Sequence, residues 1–301
     1  MIVIGSRGSD LALWQAKHVQ GLLAARAGLA TEIRIIQTAG DRIQDVQLAS
    51  LEGKGFFTKE IEAALLAGEI DLAVHSHKDL PTESPPGLTV AAVPERGPVE
   101  ECLLVRAEAW DESAPALPLR AGAVVGTGSL RRSSQVLALR PDLRIEDLRG
   151  NVPTRLRKAC EGRYDAILLA RAGLVRLGLD PAPLRLHVFA PADFVPAPAQ
   201  GALAVQIRAE GARCPQDAAV AAAVARLHDA PTARAVTAER LLLAACEGGC
   251  NLPLGAWAVL AGDEIVLTAT LGQPDGSVRR CAVRAADPAT AARLAHRELT
   301  A

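Results

Sequence analysis

The chain lacks several features that would point to common classes of protein. It has little net charge, since 33 basic residues stand against 34 acidic ones, so its composition does not indicate nucleic acid or an anionic membrane as a partner. It has no apolar run of the ~18 residues that a transmembrane helix needs, and the apolar run near Met1 is too short for a signal peptide. We therefore expect a cytoplasmic protein.

Three kinds of site are also not indicated. The six cysteines are scattered, and a cytoplasmic chain keeps cysteines reduced, so we expect no disulfide bonds. The GxxxxGK[ST] pattern does not occur, which disfavours a nucleoside triphosphate as ligand. Cys246 and Cys250 are four residues apart, but no second Cys/His pair follows at the spacing of a zinc site. Cys250 follows two glycines and is sterically open, so it is either a covalent site or a small apolar residue that only packs.

Lysine is scarce, with five lysines among the 33 basic residues, and three of the five lie between residues 54 and 78. The last of them belongs to "AVHSHKDLPT" (73–82), which follows an apolar run and contains a proline. This segment is a metal site, an acid/base site or an ordinary polar turn. His75 and His77 would share one face of a strand, so chelation is geometrically allowed, but no third ligand is indicated nearby and we expect no metal.

The hydrophobic pattern alternates between strands and helices. "VIGSRGSD" predicts a strand and a turn before a helix from about Asp10 to Ala25 with Ser9 as N-cap. "FFTKEIEAALLAG" predicts a helix that ends at Gly68, and "IDLAVHS" predicts a buried strand. This alternation indicates an α/β fold with largely parallel sheets. A hairpin around 274–276 indicates an α+β C-terminal part.

Two stretches rich in proline and glycine predict domain boundaries. They are "ESPPGLTVAAVPERGP", which ends near residue 98, and "PADFVPAPAQG" at 191–201. Two crossings between one pair of domains would form a hinge with a cleft. Ligands of such sheets bind at the carboxyl ends of strands, so we expect Arg7, the 75–79 segment and the 126–132 turn to converge there.

Arginine is concentrated between residues 126 and 176, where ten arginines and one lysine face five carboxylates. A solvated basic face is the simple interpretation. However, Arg131 and Arg132 fall in the first turn of a predicted helix, where the helix dipole disfavours cations by ~0.3–1 kcal/mol each. An anion bound at the same helix end would reverse that penalty. We therefore expect a ligand with several carboxylates or phosphates, which arginine forks bind well.

Long segments of the chain resemble one known family from end to end. They include "GSRGSDLALWQA", "GKGFFTKEIEAALLAGEIDLAVHSHKDLPT", "VGTGSLRRSSQVLALRPDL", "LRGNVPTRLRK", "PAPAQGALAVQIR" and "TAERLLLAACEGGCNLPLGAWA". They look like hydroxymethylbilane synthase, also called porphobilinogen deaminase. The resemblance implies a transferase of tetrapyrrole biosynthesis, for haem or another end product. Such enzymes condense four porphobilinogens head to tail with loss of ammonia and release the linear hydroxymethylbilane by hydrolysis.

The resemblance also implies a fold, a cofactor and an assembly. The fold is α/β, with two domains like type II periplasmic-binding proteins around a cleft and a small α+β C-terminal domain. We expect domain 1 at 1–98 plus 198–216, domain 2 at 99–197 and domain 3 at 217–301. The cofactor is a dipyrromethane made from two substrate units and held by a cysteine thioether. The protein is expected to be a monomer without a nucleic-acid or membrane partner.

Site residues follow from matching the family's motifs position by position. Asp79 matches the catalytic aspartate, and Cys250 matches the cofactor cysteine, while Cys246 stands where the family usually has leucine. The other implied cofactor contacts are Ser76, Lys78, Ser129, Arg131, Arg132 and Arg155. The implied substrate contacts are Arg7, Arg149, Arg176 and Gln200. Lys54 and Phe57 match a mobile loop over the active site.

This chemistry is consistent with the arginines. Porphobilinogen carries an acetate and a propionate, so a growing chain brings many carboxylates to the protein. One rival interpretation is a non-catalytic anion-binding protein of the same two-domain architecture. It would explain the cleft and the arginines, but neither Cys250 in its glycine turn nor the third domain. An inactive family member is a second rival, although each matched position carries a usable side chain.

Overall fold

The computed structural model describes residues 1–38, 58–209, 215–247 and 252–301. The described chain forms two compact units, each built from two chain segments. Unit 1 comprises Met1–Gly97 and Gly201–Arg234, and unit 2 comprises Pro98–Gln200 and Ala235–Ala301. The first two passages between units therefore fall at 97/98 and 200/201, in the proline- and glycine-rich stretches of the sequence.

Unit 1 is a five-stranded sheet with helices on both faces. Its strands are β1 (Ile2–Ser6), β2 (Thr31–Ile35), β3 (Leu72–Ser76), β4 (Leu88–Ala92) and β10 (Leu203–Arg208). Its helices are α1 (Asp10–Ala27), α2 (Lys59–Ala67) and α6 (Pro215–Ala225). The order is β2-β1-β3-β10-β4, in which β1 is parallel to β2 and β3, and β10 is antiparallel to β3 and β4.

The core of unit 1 lies on both sides of this sheet. Leu72 and Val74 of β3 pack with α1 and α6, while Ala73 between them packs with Ile61 and Leu65 of α2 on the opposite face. A strand that is buried on both faces reads as a continuous apolar run, which explains why "LAV" shows no polar alternation.

Unit 2 contains a second sheet with the same arrangement of strands. Its strands are β5 (Glu101–Val105), β6 (Val124–Gly126), β7 (Arg144–Glu146), β8 (Ala166–Ala170) and β9 (Arg185–Val188). Its helices are α3 (Leu130–Leu139), α4 (Val152–Cys160) and α5 (Arg171–Leu177). The order is β7-β6-β8-β5-β9. In this sheet β6 is parallel to β7 and β8, and β5 is antiparallel to β8 and β9.

The C-terminal part of unit 2 is a small α+β region. Three strands, β11 (Leu254–Ala261), β12 (Glu264–Gly272) and β13 (Val278–Ala285), form an antiparallel meander. Two helices pack on it through a core rich in alanine: α7 (Ala230–Ala245), from Ala235 onward, and α8 (Pro288–Thr300). The Ala256 N–H donates to the Pro196 carbonyl oxygen (3.0 Å), which ties β11 to the segment before residue 200.

The predicted fold class is confirmed, and so are several local predictions. The Ser9 hydroxyl accepts the Ala12 N–H and caps α1, α2 ends at Gly68 in the left-handed conformation (φ 79°), and β12 and β13 form the predicted hairpin. The three-domain division stays a prediction; within the structure, residues 217–234 belong to unit 1. In the described ranges, no helix combines the length and apolarity needed to cross a membrane.

One local interpretation is corrected. The stretch "ESPPGLTVAAV" is not only a boundary, because it contains β4. Among the described strands, β4 pairs with β10 and lies at the edge of the sheet. An edge strand tolerates prolines and glycines beside it, since only one of its sides must form hydrogen bonds.

Candidate active site

The segment "HSHKD" spans the end of β3 and one turn of 3₁₀ helix. β3 ends at Ser76, and His77–Asp79 form the turn. The His77 N–H donates to the Ala202 carbonyl oxygen (3.1 Å), which fastens the turn to the strand beside it. Asp79 is exposed, whereas His75 and His77 are buried. Ser76 between them is extended (φ −63°, ψ 118°), and the turn begins at His77, so His75 lies in β3 and His77 lies just beyond it.

A pocket on unit 1 brings three of the predicted site residues together. Arg7, Ser76 and Asp79 line it, because β1 and β3 are parallel neighbours and their carboxyl ends lie at the same sheet edge. Gln15 of α1 lines the same pocket, and its side-chain N–H donates to the Ser76 hydroxyl (2.7 Å). The pocket therefore holds a carboxylate, a guanidinium and an oriented hydroxyl.

A buried chain of hydrogen bonds supports one wall of this pocket. His75 bonds through Nε2 to Gln206 Oε1 (3.1 Å), the Gln206 amide donates to Glu62 Oε1 (3.2 Å), and Thr58 donates to Glu62 Oε2 (3.3 Å). Because Gln206 presents its oxygen, the His75 proton lies on Nε2. The pKa of His75 is lowered to about 4, chiefly by burial. The bond to Gln206 acts in the opposite direction, and the positive charge of Arg7 adds to the lowering. His75 is thus neutral at neutral pH.

In unit 2, the predicted arginine pair surrounds a buried carboxylate. Arg131 and Arg132 are 6% and 5% exposed, and Glu101 is 0% exposed. Arg131 Nη2 lies 2.6 Å from Glu101 Oε1, and Arg132 Nη2 lies 2.7 Å from Glu101 Oε2. Arg131 and Arg132 also donate to the carbonyl oxygens of Val195 (3.0 Å) and Leu168 (3.1 Å). We predicted an anion at this helix end from the helix dipole, and Glu101 provides one from within the protein.

Two further arginines of unit 2 lie at the start of α4 and are only partly satisfied. Arg149 donates through Nε to Asp147 (2.7 Å), and Arg155 donates through Nε to the Gly150 carbonyl oxygen (2.7 Å). Burial and, after it, the positive charge of Arg132 lower the pKa of Arg155 to about 10. This region is therefore electropositive and suited to bind an anion.

The remaining predicted residues are placed as follows. Lys78 lies half-buried in the 3₁₀ turn, and Ser129 precedes α3 without a side-chain cap bond. Arg176 is buried on α5, and the buried Gln200 donates to the Val99 carbonyl oxygen (2.8 Å). Three predicted residues lie outside the described ranges: Lys54, Phe57 and Cys250.

Cys246 has the environment of a packing residue. It is half-buried against the core of the C-terminal region, and burial raises the pKa of its thiol. A raised pKa leaves less of the reactive thiolate at neutral pH. Within the ranges that the structure describes, no group of three or more His, Cys, Asp or Glu side chains is arranged to hold a metal ion.

The sequence interpretation missed Glu101 and Gln15. Glu101 opens a strand that is otherwise "CLLV", and Gln15 lies on the buried stripe of α1 with Ala16, Val19 and Leu23. A polar residue at a position that periodicity assigns to the core is the signal that could have found both. Such residues need a buried partner, which a sequence alone does not identify.

Comparisons with known proteins agree on one family. Residues 2–216 match a family model described as "Porphobilinogen deaminase, dipyromethane cofactor binding domain", and residues 233–297 match "Porphobilinogen deaminase, C-terminal domain". A porphobilinogen deaminase from Maridesulfovibrio salexigens is 50% identical over 92% of this chain and 86% of its own length. One from Oceanobacillus iheyensis is 46% identical over 95% of this chain and 90% of its own.

Among solved structures, a periplasmic substrate-binding protein of an ABC transporter from Coxiella burnetii aligns with 77% of this chain and 94% of its own. The identity is 16% and the TM-score is 0.44. The fold class rests instead on the topology of the two sheets and on the family match.

Proposed function

The chain belongs to the porphobilinogen deaminase family, and from this premise we propose which residues carry out each part of the reaction. The protein is a transferase that condenses porphobilinogen units with loss of ammonia and releases hydroxymethylbilane, using a dipyrromethane cofactor. The non-catalytic anion-binding alternative is not favoured. The observation that supports the residue assignment most directly is the pocket of unit 1, which joins Asp79 to Arg7 and Ser76.

We propose that Asp79 is the catalytic acid and base. Its carboxylate is exposed at the pocket, on a turn that is fastened to the sheet, so it can be reached by substrate while its backbone stays in place. Loss of ammonia from porphobilinogen leaves a cationic methylene-pyrrolenine. A fixed carboxylate stabilises this cation and can give and take protons at its Oδ atoms.

The arginines at the starts of α3 and α4 provide positive charge for the acetate and propionate groups of a dipyrromethane. Burial, and after it the positive charge of Arg132, lower the pKa of Arg155, and a bound carboxylate would stabilise the charged guanidinium. We assign carboxylate contacts with the cofactor to Arg131, Arg132 and Arg155, with Ser76, Lys78 and Ser129 as further contacts. When bound, the dipyrromethane supplies the pyrrole end to which substrate units are added.

Substrate carboxylates are assigned to Arg7, Arg149 and Arg176, with Gln200 as a flanking polar contact. Arg149 is held by Asp147 through Nε alone, so its Nη atoms retain donors for a carboxylate. Lys54 and Phe57 are assigned to a loop that covers the site. We also propose that the protein is a cytoplasmic monomer with three domains, the third carrying the cofactor on Cys250.

The experiment that tests the function is the intact mass of the purified protein under denaturing conditions. The expected result is a mass shift equal to two linked pyrrole units, present in wild type and in Cys246→Ser but lost in Cys250→Ser. The opposite pattern would move the attachment site to Cys246. If wild type carries no shift and porphobilinogen adds none, the deaminase assignment itself fails.

A further inference from the structure

Glu101 has an unusual position for a carboxylate. It is the first residue of β5, which lies between β8 and the edge strand β9, and its exposure is 0%. Its Oε1 accepts Arg131 Nη2, and its Oε2 accepts both Nε (3.1 Å) and Nη2 (2.7 Å) of Arg132. Each carboxylate oxygen therefore holds one arginine of the pair.

The charges of this cluster do not cancel. Two buried guanidiniums face one buried carboxylate, so one positive charge is left in excess, and the carbonyl oxygens of Val195 and Leu168 bind N–H groups without carrying charge. Burial lowers the pKa of Arg131 while Glu101 raises it, as expected for a cation that is only partly compensated. An arginine has five N–H donors, so both members of the pair keep donors beyond these bonds.

The neighbouring residue provides a natural comparison. Glu100 pairs with Arg171 (2.8 Å), and the two side chains are 24% and 43% exposed, so this ion pair is partly open to solvent, unlike the buried cluster. Exposed pairs of this kind contribute little to stability and do not hold a side chain in one orientation. Removal of the Glu100 charge therefore changes the local charge by the same amount without disturbing the buried pair.

We propose that Glu101 is a positioning residue that acts as the internal counter-ion of Arg131 and Arg132. It fixes the directions of the two guanidiniums. The cluster keeps one net positive charge, and one carboxylate of the ligand neutralises it. This inference rests on the proposed function, because it takes the ligand to be the carboxylate-bearing dipyrromethane. Neither the family match nor the matched motifs assigns a role to Glu101.

The test uses full-length protein produced without porphobilinogen, so that it starts empty. Thermal unfolding is compared before and after incubation with porphobilinogen, and intact mass checks both states. In Glu101→Gln the empty protein carries a second uncompensated buried charge, so its Tm falls. Ligand carboxylates then replace the lost counter-ion, and the rise in Tm on loading exceeds the wild-type rise by at least about 3 °C. Glu101→Asp, which keeps the charge, and the control Glu100→Gln show the wild-type rise.

A merely structural role for Glu101 predicts a different result. Glu101→Gln would then lower the Tm of the empty and loaded forms equally, and that outcome overturns the proposal. If the empty variant does not fold, the variant is assembled in the presence of porphobilinogen. Folded, loaded protein supports the proposal, and failure to fold in either state overturns it.

The failure of this inference can be told apart from the failure of the proposed function. If wild type takes up no pyrrole units, the function is wrong before any Glu101 variant is made. If wild type loads and the rise in Tm is unchanged in Glu101→Gln, only the counter-ion role of Glu101 is wrong.

Discussion

At the scale of single residues, Asp79 is the side chain on which the proposed chemistry depends. Asp79→Asn keeps the shape but removes the proton acceptor, so we expect turnover to fall by at least ~10²-fold. Because the side chain is exposed, we expect thermal stability and cofactor loading to stay unchanged. Steady-state assays with porphobilinogen, beside the exposed control Glu83→Gln, measure this. Turnover within about twofold of wild type would refute the assignment of Asp79.

His75 is the residue whose burial creates a dependence of stability on pH. Its pKa is lowered from 6.5 to about 4 in the folded chain, so the unfolded chain takes up the proton first as pH falls. Its contribution therefore destabilises the fold progressively below pH ~6.5, until the folded form is also protonated near pH 4. Above pH ~6.5, it has little effect on stability.

The measurement is urea unfolding of wild type and His75→Asn at several pH values. Between pH ~6.5 and pH ~5, wild type should lose about 1.5 kcal/mol more than the variant, which has no proton to bind at this position. Both proteins have the same carboxylates, so the comparison isolates the proton that His75 binds. Equal losses would show that His75 does not titrate in the way its burial indicates.

At the scale of secondary-structure elements, α3 shows how a local rule can have two solutions. Two arginines in the first helical turn oppose the helix dipole, and the sequence argument inferred an external anion. The structure supplies an anion from β5, since Glu101 lies 30 residues before Arg131 in the chain. The helix end does bind an anion, but the sequence does not indicate which distant residue provides it. The excess of arginines over carboxylates still leaves charge for a ligand.

The strand β11 depends on a glycine where it meets the segment before residue 200. A Cβ atom on Gly255 would lie 2.8 Å from the Val195 carbonyl oxygen and 2.6 Å from the Thr270 hydroxyl. Gly255→Ala should therefore destabilise the protein by ~1–3 kcal/mol, the usual cost of overpacking, as measured by urea unfolding. Gly21→Ala in α1, where a Cβ meets nothing within 4 Å, is the matched control. It should be neutral or stabilising, because alanine favours a helix.

At the scale of the whole molecule, unit 1 depends on a segment that returns after the chain has built most of unit 2. Arg208 on β10 holds this segment in place. It donates to Asp217 of α6 through Nε (2.8 Å) and Nη2 (2.6 Å) and to the carbonyl oxygens of Leu65 and Ile70 (both 2.7 Å). Arg208 and Asp217 are both largely buried, with side-chain exposures of 8% and 12%.

Removal of Arg208 should therefore weaken unit 1 in particular. Arg208→Ala leaves buried carboxylates without their cation, and breaking such a pair costs about 3–5 kcal/mol. Hydrogen exchange should become faster in β3, β10 and α6 while the exchange of β5 and β8 in unit 2 changes little. Arg208→Lys keeps the charge but loses the forked donors of the guanidinium. Its exchange rates should therefore lie between those of wild type and Arg208→Ala. Equally faster hydrogen exchange in both units would contradict the prediction that the loss of Arg208 acts mainly on unit 1.

The sequence by itself determined the family, the fold class and the ends of the elements that carry local signals. Ser9 and Gly68 could be recognised because a helix cap is a property of a few adjacent residues. The tertiary structure decided which buried polar residues pair: Glu101 with Arg131 and Arg132, Gln15 with Ser76, and His75 with Gln206. It also decided that β4 and β11 are strands. These partners lie 30 to 131 residues apart, and the need of a buried polar group for a partner does not say which distant residue provides it.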